Sequence, residues 1–280
     1  MVQKRIILAN DLSGIGKVAL TPAIPIMACC QIETILLPTI LLSSHTGGFQ
    51  KIATQELLDF TKQSLEQWKA LQLKTDALFI GYCRQREQLK VLLDYHTTQN
   101  PDALLIVDPI MGDHGKLYSG FTEEYVQQMR KVCSKADVIL PNLTEAALLT
   151  QTEYLEGIDP VEAYQELARK LANLGAKKVI LTGIQIKVGS IGLLSYDAVT
   201  EQFATAFTPH YSHHFFGTGD IVSAILSACI LQGFSLEKAL TLATTFLDAT
   251  LQETIAQEKD LQYGVAFEPQ LHLLTQLFHS

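Results

Sequence analysis

Ala77-Leu78-Phe79-Ile80-Gly81, a longer mixed run over 85–98, and then Leu104-Leu105-Ile106-Val107 form one repeating unit. Neither short run alternates apolar with polar residues, which is the pattern of strands buried on both faces of a parallel sheet. The run between them reads as a helix, so the three make a βαβ unit. The same rhythm continues in both directions. It predicts strands at 6–9, 34–42, 138–140 and 178–182, and helices at 16–30, 54–73, 122–134, 142–150 and 160–174. The 54–73 run carries Leu57, Leu58, Phe60, Leu65, Trp68 and Leu71 as an approximate helical stripe. Beyond Gly183 the rhythm changes. Segments 188–196 and 202–208 flank Asp197-Ala198-Val199-Thr200 and predict an antiparallel pair at the sheet edge. Helices at 221–231, 235–253 and 269–278 complete the pattern. The expectation is an α/β fold, with a doubly wound, mostly parallel central sheet and helices on both faces, in one domain over residues 1–280. Its ligand belongs outside the carboxyl ends of the strands.

Composition excludes other classes. Of the 280 residues 48% are hydrophobic and 18% charged, too apolar for a disordered chain. The apolar stretch 23–42 is broken by Pro25, Gln31, Glu33 and Pro38, so it cannot supply the roughly 20 apolar residues of a membrane span. The start, with only 6–9 apolar before Asn10 and Asp11, is too short for a signal-peptide core. A net charge of −8 without a Lys/Arg block argues against nucleic acid as a partner. The five cysteines, Cys29, Cys30, Cys83, Cys133 and Cys229, match no zinc or Cys-x-x-Cys spacing and read as free thiols in a cytoplasmic protein.

Chemistry enters at Phe215-Phe216-Gly217-Thr218-Gly219-Asp220, which runs straight into the apolar 221–231 segment. Two glycines let successive N–H groups point one way, and the helix that follows adds its partly positive N-terminus. Such a nest holds an anion without lysine. Asp220 places a carboxylate beside it. A static phosphate site gains nothing from a negative neighbour, whereas phosphoryl transfer needs a base for the acceptor hydroxyl. Read alone, the same residues are also an ordinary helix start. Val222 stands where a dinucleotide fingerprint needs its third glycine. In the Asp11–Val18 stretch, Asp11 and Val18 replace the first glycine and the Ser/Thr of a Walker loop.

Gly217-Thr218-Gly219-Asp220 ahead of an apolar helix resembles the signature of the ribokinase-like carbohydrate and vitamin kinases. Four further motifs resemble the pyridoxal (vitamin B6) kinase branch. Ser43-Ser44-His45-Thr46-Gly47 is similar to its Ser-Asn-His-Thr-Gly substrate loop, and Gly81-Tyr82 to its strand-closing Gly-Tyr. Asp108-Pro109-Ile110-Met111-Gly112-Asp113 is similar to its Asp-Pro-Val-Met-Gly-Asp, and Pro141-Asn142-Leu143-Thr144-Glu145 to its Pro-Asn-x-x-Glu. The five stand in family order, and the similarity runs from Arg5 to about Leu231.

The resemblance implies ATP-dependent phosphorylation of the hydroxymethyl group of pyridoxal, pyridoxine or pyridoxamine. It makes Asp220 the general base, with the N–H groups of Gly217, Thr218 and Gly219 holding the charge on the transferred phosphoryl. It places Asp11, Ser13, His45, Thr46 and Tyr82 at the substrate, Tyr82 against the ring. Asp108, Asp113, Asn142, Glu145 and Thr182 fall to ATP. Asp108 and Glu145 are the hard oxygen donors for Mg²⁺, directly or through water. A monovalent cation, K⁺ or Na⁺, and a homodimer are also implied, although Leu140 stands where relatives often carry threonine. Read without the family, Asn142 and Glu145 fit a capping box, and Asp113 closes a turn with Gly112. His45 and Tyr82 then fit a core or rim, and His213 and His214 a solvated lid loop.

The chain also departs from the branch. Asp11 stands where many pyridoxal kinases have serine, and it suits a protonated ring nitrogen or an amino substituent. An aspartate there is also found in hydroxymethylpyrimidine kinases of thiamine synthesis, the alternative function, although Ser13-Gly14-Ile15-Gly16 differs from their Ser-Gly-Gly-rich run. A non-catalytic sensor has no use for Asp220.

Overall fold

The computed structural model describes residues 3–278. In chain order the elements are β1 (Lys4–Ser13), α1 (Leu20–Cys29), β2 (Ile32–Leu42), β3 (Thr54–Glu56), α2 (Leu58–Ala70), β4 (Ala77–Ile80), α3 (Arg86–Gln99) and β5 (Leu104–Val107). A small hairpin of β6 (Gly112–Asp113) and β7 (Lys116–Leu117) follows, then α4 (Glu123–Cys133), β8 (Val138–Ile139), α5 (Leu143–Thr150), α6 (Val161–Ala172) and β9 (Lys178–Ile184). β10 (Ser190–Asp197), β11 (Gln202–Pro209), α7 (Thr218–Leu231), α8 (Leu236–Ala256) and α9 (Leu271–Phe278) complete the chain.

The main sheet has the order β11-β10-β9-β8-β5-β4-β1-β2-β3. From β2 to β9 every pairing is parallel, and β3, β10 and β11 add antiparallel edges. Alternate residues of the central strands feed two cores. Ile7 and Ala9 pack with α2 to α6 on one face, while Ile6 and Leu8 pack with α1, α7, α8 and α9 on the other. Burial on both faces is why these strands read as unbroken apolar runs. No helix among the described residues is long and apolar enough to cross a membrane.

Two predicted helices are corrected. The 54–73 run is not one helix: Thr54–Glu56 pairs antiparallel with Ile40–Leu42, and the helix starts only at Leu58. Its expected stripe is only partly buried, because Phe60 and Leu71 are exposed while Leu65 enters the core. The 16–30 run likewise becomes helical only at Leu20, because Gly16 and Ala19 both have positive φ (94° and 50°) and hold a loop. That loop belongs to the site.

Candidate active site

The chain leaves β1 for β2 on one side and later returns to place β4 on β1's other side. This reversal opens a crevice at the carboxyl ends of β1 and β4, the place where open α/β sheets bind ligands. Asn10 ties the two strand ends together, its Oδ1 accepting the N–H groups of Asp11 (3.0 Å) and Tyr82 (2.8 Å). Pairing of β1 with β2 slips between Asn10 and Leu12, opposite Pro38, which has no N–H to give the ladder. The released Thr39 donates its hydroxyl to the Tyr82 carbonyl at 2.6 Å. Asp11 sits at this irregularity, only 7% exposed, and its Oδ2 accepts the Ser13 hydroxyl at 3.0 Å. Burial and the nearby Asp220 carboxylate push the Asp11 carboxyl up to about 7.

The glycine nest lies across this crevice. Gly217 is the N-cap of α7 with φ 84°, and a side chain there would run into the Lys17 carbonyl. The loop carrying Lys17 is stitched to the loop that follows β2. Gly14 N–H donates to the Leu42 carbonyl (2.8 Å), Ile15 N–H to Ser43 (3.1 Å), and His45 N–H back to Ile15 (3.1 Å). A Cβ on Gly16 would strike the His45 ring. Above Gly219, by contrast, there is open space. Close packing fixes the base of the nest, and an absent side chain leaves its mouth free. Asp220 is half-buried, accepts the Ala19 N–H, and is pushed up to about 6 chiefly by burial. Among the described residues it has no ion-pair partner.

One helical turn beyond Asp220, Ser223 donates its hydroxyl to Asp108 Oδ2 at 2.6 Å, docking the end of β5 onto α7. Asp108 is buried and pushed up to about 7 by that burial, with Asp220 adding to the rise. Glu145 is buried too. Its Oε2 accepts the Asn142 N–H (2.9 Å), its Oε1 accepts Met111 N–H (3.2 Å), and its own N–H donates to Asn142 Oδ1 (2.9 Å). The capping box is therefore real, yet burial and Asp108 still hold the Glu145 carboxyl well above the usual range. Asn142 Nδ2 donates to the Gly112 carbonyl at 2.9 Å, and Asn142 pairs with the half-buried Thr182 across the ends of β8 and β9. Asp113 closes the β6–β7 turn, its Oδ1 accepting the His114 N–H at 2.8 Å.

The remaining expected substrate residues occupy different surroundings. Tyr82 is half-buried with its ring edge-on to Phe121, and its hydroxyl is raised mainly by burial. Thr46 is exposed. His45 spends both ring nitrogens on the backbone: Nδ1 accepts Gly47 N–H at 3.1 Å, which leaves Nε2–H to donate to the Gln262 carbonyl at 2.7 Å. Its ring lies between Phe49 and Phe216. His45 therefore clamps its own loop to the C-terminal segment at Gln262, and what it leaves free is a ring face.

A buried row of carboxylates beside an anion-binding nest suits phosphoryl transfer, and comparison with known proteins agrees. The phosphomethylpyrimidine kinase model matches residues 28–264. The chain belongs to that family. Members of the family are kinases, so the chain is a phosphotransferase with the ribokinase-like fold expected above. It is 32% identical over 246 residues to a pyridoxal kinase of Arabidopsis thaliana, covering 80% of this chain and 74% of that one. The pyridoxal kinase structure from Lactobacillus plantarum superposes with a TM-score of 0.90 at 33% identity, covering 99% and 98% of the two chains. A Bacteroides thetaiotaomicron protein assigned as a phosphomethylpyrimidine kinase, crystallised with pyridoxal, gives a TM-score of 0.90 at 33% identity over 97% and 96%.

Kinases of this family raise the question of a metal. No group of three or more His, Cys, Asp or Glu among the described residues is placed to hold a metal ion by itself. The donor set still fits hydrated Mg²⁺, since Asp108 and Glu145 are buried carboxylates, Asp108 raising Glu145, and neither has an ion-pair partner among the described residues. Mg²⁺ characteristically keeps several waters and takes one or two carboxylates plus substrate phosphates. Glu145→Gln keeps a capping-box residue at the third helical position, so the fold should hold. We expect it to raise the Mg²⁺ concentration for half-maximal turnover about tenfold. An unchanged metal titration removes Glu145 from the metal shell.

Sequence reading missed three residues of the site. Asn10 and Ser223 are the first two. The third is Tyr118, an exposed residue whose hydroxyl is raised by partial desolvation and by the fields of Glu145, Asp113, Asp108 and Asp220. Ser223 carried a signal, a hydroxyl one turn after Asp220. Asn10 carried a weaker one, as the polar residue ending an apolar run.

Proposed function

We propose that this kinase transfers the γ-phosphoryl group of ATP to the 5′-hydroxymethyl group of pyridoxal, pyridoxine or pyridoxamine. The observation that carries the reading is Asp220, unpaired among the described residues, at the mouth of an open nest and sharing its crevice with Asp11. Asp220 accepts the hydroxymethyl proton as the oxygen attacks phosphorus. A carboxylate with a pKa of about 6 is ionised at neutral pH yet more basic than an exposed one. The N–H groups at the start of α7 hold the charge gathering on the phosphoryl oxygens. Thr182 and Asn142 face the nucleotide phosphates, and Tyr82 packs on the pyridine ring. Asp108 and Glu145 would hold Mg²⁺, which would supply positive charge against the phosphates. The named relatives, and the structure with pyridoxal among them, support this substrate class.

The remaining parts of the reading are a single kinase domain, a homodimer and a cytoplasmic location. The last is supported by five free cysteines. The alternative, a hydroxymethylpyrimidine kinase, is favoured by Asp11. ATP consumption measured side by side with pyridoxal, pyridoxine, pyridoxamine and the pyrimidine alcohol separates the two. We expect clear preference for the pyridines, and preference for the pyrimidine overturns the assignment.

A further inference from the structure

We infer that the C-terminal segment 262–268 belongs to the framework of the catalytic centre, and that Glu268, acting through Lys17, positions the nest and Asp220 for phosphoryl transfer. The inference rests on the reading of Asp220 as general base and adds to it Lys17, Gly264 and Glu268 as positioning residues.

The backbone of Lys17 is held between two glycines in left-handed conformations. Its carbonyl lies against Gly217 (φ 84°), where a Cβ would run into it, and its nitrogen lies against Gly264 (φ 85°), where a Cβ would stand 2.8 Å away. The C-terminal segment, the loop after β1 and the start of α7 therefore stack with no room for a side chain at either junction. In close packing of this kind a displacement at one layer passes to the next. The segment itself is firmly seated. Val265, Ala266 and Phe267 are buried, and Ala266 N–H donates to Thr254 Oγ1 of α8 at 2.8 Å. Its outer end grips the loop after β2: the Gln262 carbonyl accepts His45 Nε2–H at 2.7 Å, and Gln262 Nε2 donates to the Gly48 carbonyl at 2.7 Å. The Lys17 side chain completes the grip. Its Nζ donates to Glu268 Oε2 at 2.6 Å and stands 5.5 Å from the centroid of the Phe267 ring. Among the described residues this is the only ion pair made by the chain beyond α8. A pair partly open to water adds little stability, and what it fixes is the direction of the Lys17 backbone. Two residues on, Ala19 is buried at φ 50°, and its N–H is the donor to Asp220. A non-glycine residue keeps a positive φ only where its surroundings over-determine it. The grip on Lys17 supplies that constraint.

The test measures kcat and the KM values for ATP and pyridoxal, per folded protein, in the wild type, Lys17→Met, Lys17→Arg and Glu268→Gln. Methionine and glutamine keep the bulk of the side chains at the protein surface, so both variants should melt within about 3 °C of the wild type. We expect Lys17→Met and Glu268→Gln each to lower kcat about tenfold with both KM values within about twofold, because a small displacement of the reacting groups costs rate and spares binding. Lys17→Arg keeps the ion pair and should hold kcat within about twofold of the wild type. A clamp that serves only the fold would lower the melting temperature and leave kcat per folded protein unchanged, and that result overturns the inference. Lys17→Arg as slow as Lys17→Met overturns it too. Asp220→Asn, measured alongside, separates the two readings. Near-normal turnover there removes the base itself. A slow Asp220→Asn beside wild-type kcat in Lys17→Met and Glu268→Gln removes the positioning role alone.

Discussion

Asp220→Asn is expected to lower kcat about 10²- to 10⁴-fold while KM for both substrates stays within about threefold, the loss expected from removing a general base. Asparagine keeps the size of the side chain and its place at the start of α7, but it cannot take the hydroxymethyl proton. Steady-state kinetics check the split between kcat and KM. A companion signature lies in pH. Burial lifts the Asp220 carboxyl to about 6, so its proton returns as pH falls through that value. Only the ionised form accepts a proton, hence kcat/KM should fall about tenfold per pH unit on the acid side. Asp220 also raises the Asp11 carboxyl, so Asp11 contributes to the acid limb as well. In Asp220→Asn the limb should lose its Asp220 contribution. Near-normal turnover in this variant would contradict the base assignment.

Gly217→Ala is the second large effect, and it acts through geometry. Gly217 adopts φ 84°, a left-handed conformation that alanine tolerates poorly, and its Cβ would collide with the Lys17 carbonyl. The nest and the loop after β1 cannot both keep their places. We expect turnover to fall by about 10²-fold or more as the amides leave the developing charge, together with a lower melting temperature. Gly219→Ala separates the two consequences. That glycine has open space around it and an ordinary φ, so stability should hold while the new methyl crowds the mouth of the nest. Equal melting losses in both variants would show that the nest is a folding feature and nothing more.

Most of the architecture was legible because burial on both faces writes itself as unbroken apolar runs. β5 begins and ends where the pattern placed it, and the antiparallel β10–β11 edge was announced by the turn at Asp197–Thr200. Thr54–Glu56 was not legible. Three exposed residues pair with an edge strand, and nothing in their polarity separates that from a first helical turn. The same limit governs the site. The nest and Asp220 are contiguous and could be read as a local motif. The Asn10 bridge to Tyr82 spans 72 residues and exists only because the strand order reverses, which sets β4 parallel beside β1. His45 shows the converse. The motif that singled it out was real, yet its nitrogens are committed to Gly47 and Gln262, a role that only the packed C-terminal segment reveals.

Phosphoryl transfer to the pyridine alcohol is tested most directly by product analysis after incubating the protein with Mg²⁺, ATP and pyridoxal. ADP and 5′-phosphorylated pyridoxal should form in equal amounts, by phosphorus NMR and mass spectrometry, with formation abolished when the alcohol is withheld. Release of ADP with free inorganic phosphate, at the same rate with and without pyridoxal, would contradict it.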